Sequence, residues 1–385
     1  MITIKKGLSD GMRILVDARP LITVGNGNAR YLSAMLDSAI RLKPDWHWHL
    51  ISHRALNTSY SSIFTQPNVE ISVHGSLMSK AGPLWLHTPF SGSVIDIIGR
   101  VEPDLFWSTL FLLPYHYQKR TTVPTILNVH DLNPFVVPQT MKAWVRIYSR
   151  QFLKDSIRNA DRVLCLSQTT RNHILKLIPN VDPQKLTVQY PGINRPPDTR
   201  KRPAALPISI TENRFFLAVG TLESRKNFDT LIQAHIEAGR QNANLLPLVI
   251  AGGTGWNMTP LLKKLQRNEF IANKIYFVKS PQDSELFWLY QNAKALFFSS
   301  FHEGFGLPVI EALQFEKPVY LSDIEIFREI APSADFVAPT DVQNWSNWFF
   351  YLTENPGRQI SFNQKEWTYK NRATQLCQEL EIAAK

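Results

Sequence analysis

The feature that most constrains this chain is an alternation of short apolar runs with longer amphipathic stretches, interrupted once by proline. Runs at Arg13–Asp17, Trp46–Ile51, Asp104–Trp107, Thr125–Val129 and Arg162–Leu166 read as buried strands, and a second series follows at Phe215–Val219, Leu248–Ala251, Ile275–Val278, Ala295–Ser299 and Pro318–Leu321. Helical patterns lie between or after them: Ala29–Leu42, Lys142–Asn159, Phe228–Ala238, Ser284–Lys294, a helix from Pro308, Ile324–Ile330, Val342–Leu352 and Lys365–Ala384. On Lys142–Asn159, Trp144, Ile147, Tyr148, Phe152 and Ile157 recur near helical spacing, with Arg and Lys largely between them. Strands joined by helical crossovers form parallel α/β sheets. The break, Tyr190 to Pro207, holds Pro191, Pro196, Pro197, Pro203 and Pro207 with Arg195, Arg200, Lys201 and Arg202, and reads as a linker. The expected architecture is therefore two Rossmann-like domains facing across a cleft, spanning 1–195 and 205–355. A C-terminal helix at about 360–385 is expected to pack back on the first domain. Ligands of open α/β sheets sit outside the carboxyl ends of the strands, so the chemistry should lie on loops that directly follow strands.

Charge separates the two halves. Residues 1–205 carry 25 Lys+Arg against 13 Asp+Glu, a net of +12, whereas the remainder carries 17 against 19, a net of −2. A basic half suits a polyanionic partner (nucleic acid, an anionic membrane surface or a phosphate-bearing lipid) or is merely a soluble basic surface. Nothing in the sequence matches a nucleic-acid recognition motif, so no nucleic acid is expected. No apolar run is long enough to cross a bilayer, and no signal-like apolar core follows Lys5 and Lys6, so a cytoplasmic protein is expected. Cys165 and Cys377, far apart in sequence, cannot form a disulfide framework or a cysteine-rich metal site, and each is expected to be buried and inert.

Two motifs meet the strand-loop test. The first, Val219-Gly-Thr-Leu-Glu-Ser-Arg-Lys-Asn227, leaves the strand at Phe215. Gly220 permits a tight exit and Asn227 is a good N-cap. Arg225 supplies a planar fork and Lys226 a mobile point charge, a pair suited to a diphosphate; alone, they are as readily two solvated cations. The second, Phe301-His-Glu-Gly-Phe-Gly-Leu-Pro-Val-Ile-Glu-Ala312, follows the strand at Ala295. Pro308 suits a first helical turn, and Gly304 and Gly306 let backbone N–H groups approach an anion. Glu303 and Glu311 are spaced so that one can meet a sugar and the other a ribose; the plainer reading makes Glu311 a first-turn carboxylate complementing the helix dipole.

In this order and on these elements, the two motifs resemble those of the retaining glycosyltransferases of GT-B fold, family 4. Glu303 and Glu311 match its Glu, seven residues, Glu signature, and Arg225-Lys226 its Arg-Lys pair. Asp17-Ala-Arg-Pro-Leu21 with Gly25-Asn-Gly-Asn-Ala-Arg-Tyr31 is similar to the opening of the family's mannosyltransferases, Asn128-Val-His-Asp-Leu132 to its His-Asp loop, and Ala251-Gly-Gly-Thr-Gly-Trp256 to its nucleotide-domain turn. The resemblance implies catalytic roles for Glu303, Arg225, Lys226 and His130. Arg225 and Lys226 would contact the diphosphate, Glu303 the transferred sugar, and His130 the donor sugar from the other domain. It implies donor binding by Gly220, Gly304, Phe305, Gly306, Leu307, Glu311 and Lys279, the last in the loop that faces the base. Gly25 and Gly27 would form the phosphate and acceptor loop. The sequence departs from the family at two glycines: Lys279-Ser280-Pro281-Gln282-Asp283 lacks the one after its strand, and Glu316 stands where the other precedes the Pro-Val strand.

The activity implied is transfer of a hexose, first mannose from GDP-mannose, with retention, to a growing glycan or a lipid-diphosphate-linked acceptor. A GDP-deoxyhexose or UDP-sugar donor, a sugar-nucleotide epimerase and an inactive sugar-nucleotide-binding assembly partner are the alternatives. The closest approach to Asp-x-Asp is Asp323-Ile-Glu325 at a helix start. Cationic side chains are therefore expected to replace a metal ion, and no metal or other cofactor is expected beyond the sugar nucleotide itself. The basic half would receive an anionic acceptor at the inner membrane face. Leu77 to Phe90, with Lys80, Trp85 and Leu86, is read either as a segment dipping into the interface or as a loop packed on its own domain.

Overall fold

The computed structural model describes residues 11–74, 93–193, 195–255 and 258–385. The Leu77–Phe90 segment and Trp256 lie outside the described residues. The chain divides into two compact units, Met1–Leu132 with Trp144–Gly192 and Glu366–Lys385, and Asn133–Ala143 with Ile193–Lys365.

The first unit holds seven strands: β1 Arg13–Asp17, β2 His47–Ser52, β3 Val69–Val73, β4 Leu105–Ser108, β5 Thr125–Val129, β6 Arg162–Cys165 and β7 Leu186–Val188. They form one sheet in the order β3-β2-β1-β4-β5-β6-β7. Every pairing is parallel, as between Ile14 and both Trp48 and Leu105. Helices α1 (Gly27–Leu42), α2 (Val94–Val101), α3 (Ala143–Asn159) and α4 (Gln168–Leu177) provide crossovers. Asn26 caps α1, its Oδ1 accepting from the Ala29 N–H at 2.8 Å, and Ser167 caps α4.

The second unit repeats the plan. Its strands β8 Phe216–Val219, β9 Leu248–Gly252, β10 Ile275–Lys279, β11 Ala295–Phe298, β12 Val319–Ser322 and β13 Asp335–Val337 form a parallel sheet ordered β10-β9-β8-β11-β12-β13. Helices α5 (Phe228–Gln241), α6 (Pro260–Gln266), α7 (Asp283–Asn292), α8 (Leu307–Leu313), α9 (Glu325–Ile330) and α10 (Val342–Glu354) flank it. Gln282 and Glu285 close a reciprocal cap on α7. Phe216, Phe297, Tyr320, Trp345 and Phe349 pack in one buried cluster between sheet and helix. In both sheets the strand order reverses beside the first strand of the unit, at β1/β4 and at β8/β11.

The last helix, α11 (Tyr369–Ala383), belongs to the first unit and starts after the Thr368 cap, later than its pattern suggests. It packs on α1 and pairs Glu381 with Lys43 at 2.6 Å and Glu379 with Arg162 at 2.5 Å. Strands β3, β7 and β13 lie at sheet edges and were not among the runs read from sequence. Helix α3 departs from its apolar pattern. Trp144 and Ile147 are 67% and 66% exposed, while Ser149 and Ser156 are buried. Ser156 is buried because its Oγ accepts from the Leu113 N–H at 2.9 Å. Both cysteines are buried, which pushes each thiol up to about 12. Among the described residues no helix is long and apolar enough to cross a membrane.

Candidate active site

At the β8/β11 switch point two loops leave neighbouring strands side by side. Gly220 ends β8 with φ +154, and a Cβ there would stand 3.3 Å from the Lys226 side chain. Gly252 ends β9, and a Cβ on it would fall 2.0 Å from the Gly220 carbonyl oxygen. Only glycine lets these two strand ends pass so closely. The β8 loop then runs through a single 3-10 turn, Ser224–Lys226, into α5.

The two loops are stitched through Asn227. The sequence suggested a side-chain N-cap here, but the structure shows otherwise. Asn227 sits in the left-handed region at φ 54, where Asn is among the better-tolerated residues, and makes no cap bond to the α5 backbone. Its Nδ2 instead donates to the carbonyls of Ser299 at 3.0 Å and Pro339 at 2.7 Å. Ser299 Oγ returns a bond to the Asn227 carbonyl at 2.9 Å, and the Phe301 N–H donates to the Arg225 carbonyl.

This stitching brings three of the expected residues together. Lys226 Nζ lies 2.6 Å from Glu303 Oε1, and Arg225 Nη1 lies 2.9 Å from Glu303 Oε2. Arg225 Nη1 also donates to the His302 carbonyl, and Nη2 to Glu223 Oε1, both at 2.8 Å. Ser300 Oγ donates to Glu303 Oε1 at 2.7 Å. The cations are thus not solvated: the side chains of Arg225, Lys226 and Glu303 are 17%, 11% and 8% exposed. Burial alone would raise the Glu303 carboxyl. Arg225 and Lys226 outweigh it, and with the Ser300 hydroxyl bond they hold Glu303 down to about 2. Burial lowers the Lys226 ammonium, against the pull of the Glu303 carboxylate facing it. Glu223 and Ser300 complete this cluster and were not singled out from sequence. Glu223 stands within the first motif, but its role depends on the fold of the 3-10 turn.

The remaining donor-side residues are placed differently. Glu311 lies in the second turn of α8, not the first, and is buried where the Tyr290 hydroxyl donates to its Oε2 at 2.8 Å. It is therefore no surface partner of the helix dipole. Gly304, Phe305 and Gly306 are buried and Leu307 is partly exposed. Gly306 takes φ +100, and a Cβ there would meet Phe327 Cε1 at 2.9 Å. Lys279 is exposed at the end of β10 and makes no bond to the Glu303 cluster. Ser280 after it takes φ 46, and Glu316 takes φ 54. Glu316, which stands where the family has a glycine, thus keeps a glycine-like backbone.

Gly25, Gly27 and His130 lie in the first unit, around its β1/β4 switch point and the end of β5. Gly25 (φ +88) and Gly27 are exposed, with open space where a Cβ would point. His130 is buried, its Nε2 donating to the Thr109 carbonyl at 2.8 Å and its ring edge-on to Tyr31 at 5.3 Å. Burial lowers its pKa despite the Thr109 bond. With the proton on Nε2, the lone pair sits on Nδ1. Thr109 Oγ1 donates in turn to the Asp17 carbonyl at 2.5 Å. Asp17 pairs with Arg19 at 2.6 Å, wholly buried. Among the described residues no group of three or more His, Cys, Asp or Glu is arranged to hold a metal ion. Asp323 pairs with Arg328 at 2.6 Å on the surface.

Comparison with known proteins accords with this arrangement. Residues 206–368 match the family described as Glycosyl transferases group 1, and residues 45–195 match Glycosyltransferase Family 4. The chain is 30% identical over 307 residues to the O-antigen chain mannosyltransferase RfbU of Salmonella typhimurium, covering 76% of this chain and 82% of that one. It is 28% identical to O-antigen chain mannosyltransferase B of Escherichia coli, covering 69% of this chain and 71% of that one. Over 96% of its length it superposes on sucrose-phosphate synthase from Thermosynechococcus elongatus, covering 98% of that chain (TM-score 0.67, 16% identity). It likewise superposes over 96% on Anabaena HepE in complex with UDP and glucose, covering 95% of that chain (TM-score 0.61, 16% identity). Its two parallel Rossmann-like sheets are those of the GT-B fold. The chain belongs to glycosyltransferase family 4, and its enzyme class is that of a hexosyltransferase.

Proposed function

We propose that this chain transfers a mannosyl residue from GDP-mannose, with retention, to a growing glycan or a lipid-diphosphate-linked acceptor in polysaccharide assembly. The observation that carries the reading is the buried Arg225–Lys226–Glu303 cluster at the β8/β11 switch point. Mannose is favoured because the aligned relatives of Salmonella typhimurium and Escherichia coli are named O-antigen chain mannosyltransferases. A sugar-nucleotide donor is further supported by the UDP bound in HepE.

In this reading Glu303, ionised across the neutral range, fixes both cations in place before substrate arrives. Lys226 has three donor positions, of which the Glu303 bond takes one. The bond between anomeric carbon and phosphate oxygen breaks towards an oxocarbenium ion, and charge grows on the departing diphosphate. Preset cations stabilise that growing charge better than mobile water, because they need not reorganise as it appears. The acceptor hydroxyl attacks on the face the diphosphate leaves, and its proton passes to the diphosphate. Glu303 stays a carboxylate throughout and forms no bond to the sugar. Glu311 binds the ribose hydroxyls, Gly304–Leu307 lend backbone N–H groups to the donor, and Lys279 stands at the base. His130 offers Nδ1 to a sugar hydroxyl, and Gly25 and Gly27 leave room at the start of α1 for an anionic acceptor. The basic residues of 1–205 favour an acceptor held at an anionic membrane surface.

The test is a thermal-shift panel of sugar nucleotides followed by a transfer assay with the best of them. A donor that binds only the folded chain raises its melting temperature. GDP-mannose is expected to give the largest shift and to support transfer in EDTA. A donor consumed without acceptor would instead make the chain an epimerase.

A further inference from the structure

The second unit contains a pocket that the reaction does not use. Its volume is about 600 Å³, and it is lined by Tyr320, Trp348, Tyr351, Asp335, Asn344 and Arg358 among others. Tyr320 is the second residue of β12 and pairs in register with Asp335, which opens β13. The pocket therefore lies towards the amino ends of these strands. The Glu303 loop leaves the carboxyl end of β11, at the opposite end of the same sheet.

The walls combine two kinds of surface. Trp348 forms an aromatic step with Tyr320 at 4.6 Å between centroids and with Tyr351 at 5.8 Å, edge to face. Trp348 is only partly buried in the core, and Tyr351 is 48% exposed. Around this step stand a carboxylate, a carboxamide and a guanidinium. The side chains of Asp335, Asn344 and Arg358 have no hydrogen-bond partner among the described residues. The shape is held from below. A Cβ at Gly357 would press on Pro318 at 2.7 Å, so the loop after α10 is seated closely on the sheet.

We propose that this pocket binds a neutral saccharide. A sugar ring has an apolar C–H face that rests on an aromatic ring and an edge of hydroxyls that both donate and accept. Asp335 accepts, Arg358 donates and Asn344 does both. The single positive and single negative charge cancel, which leaves no field for a polyanion. A nucleotide would require an anchor for its phosphate beyond one exposed Arg. At this volume the pocket accommodates a short oligosaccharide segment. In a polysaccharide-building enzyme it would hold part of a long glycan while the reacting end lies elsewhere. The assignment stands on the chemistry of the walls and is independent of which donor the active site takes.

The experiment is affinity electrophoresis of the full chain in native gels containing yeast mannan or dextran. The band is expected to be retarded by at least one of these neutral polysaccharides. Tyr351→Ala and Asn344→Ala should each weaken the apparent affinity about tenfold, with melting temperature unchanged. Lys226→Ala should leave it intact. In transfer assays Tyr351→Ala should raise KM for long acceptors and leave short acceptors unaffected. No retardation in either polysaccharide would overturn the proposal. So would retardation unaltered by both pocket variants, abolished by Lys226→Ala, or displaced by GMP or UMP.

Discussion

The two switch points are built on the same strand order and hold their loops together by different means. At β1/β4 the buried ions are neighbours in sequence: Asp17 and Arg19 close on each other within one turn. Neutral bonds do the joining there, from Thr109 to Asp17 and from His130 to Thr109. At β8/β11 the ions themselves join the loops, since Glu303 reaches Arg225 and Lys226 from a loop 77 residues further along. A pair formed by near neighbours in sequence mainly shapes one loop. A pair shared between loops makes the position of each cation depend on the other strand, and it leaves two cations preset where an anion would arrive. Equivalent topology thus does not give equivalent sites: at β8/β11 buried charges bridge two strands' loops.

The largest effect is expected in the second unit. Lys226→Ala should lower kcat by about 10²–10³ at saturating donor, the usual loss for one preset electrostatic contact. A stopped assay of transferred sugar measures it, and near-normal turnover would remove Lys226 from the chemistry. In the first unit the corresponding cost should fall on stability. Asp17→Asn removes the carboxylate that faces buried Arg19 and should destabilise by about 3–5 kcal/mol, measured by denaturant unfolding. Should that variant unfold normally, the pair is less structural than its burial suggests.

Acidification should separate the units next. His49, His53, His74 and His130 in the first unit, and His235 in the second, all have pKa values lowered chiefly by burial. The unfolded chain then takes up protons that the folded chain refuses, so stability is greatest above about 6.5 and falls as pH drops below it. Glu303 acts in a lower window: its pairing stabilises fully above the ordinary carboxylate range and is lost only as pH falls towards about 2. Between pH 7 and 5, amide-exchange protection factors are therefore expected to fall more in the first unit than around Glu303. The smallest effect concerns the two left-handed residues, where Ser280→Gly and Glu316→Gly should each stabilise by about 0.5–1 kcal/mol by relieving φ 46 and φ 54. An unchanged or lower melting temperature would show that side-chain contacts outweigh the backbone relief.

Much of the fold was legible because apolar runs and glycine turns report local geometry. Strands β1 and β5 begin and end where their runs do, and the paired parallel sheets follow from the alternation. Edge strands were not legible. Residues of β3 are half-buried or exposed, and β7 and β13 are three residues long, so neither gives a continuous apolar signal. On α3 the apolar spacing misled, because Ser156 is buried by its bond to Leu113 while Trp144 remains outside. The charged residues of the second site were visible as motifs, but the closure of Glu303 on Arg225 and Lys226 depends on strands β8 and β11 being neighbours. Asn227 shows the same limit: its sequence context suggests a cap, and only the adjacent strand reveals that its amide holds the two loops together.

The preset cations should place the grip on the nucleotide in the second unit. Isothermal titration of GDP and of UDP into the wild-type chain, Lys226→Ala and His130→Ala tests it directly. One of the two nucleotides is expected to bind the wild type, to bind His130→Ala with little change, and to bind a folded Lys226→Ala much more weakly. Nucleotide binding that survives in Lys226→Ala and disappears in His130→Ala would contradict it.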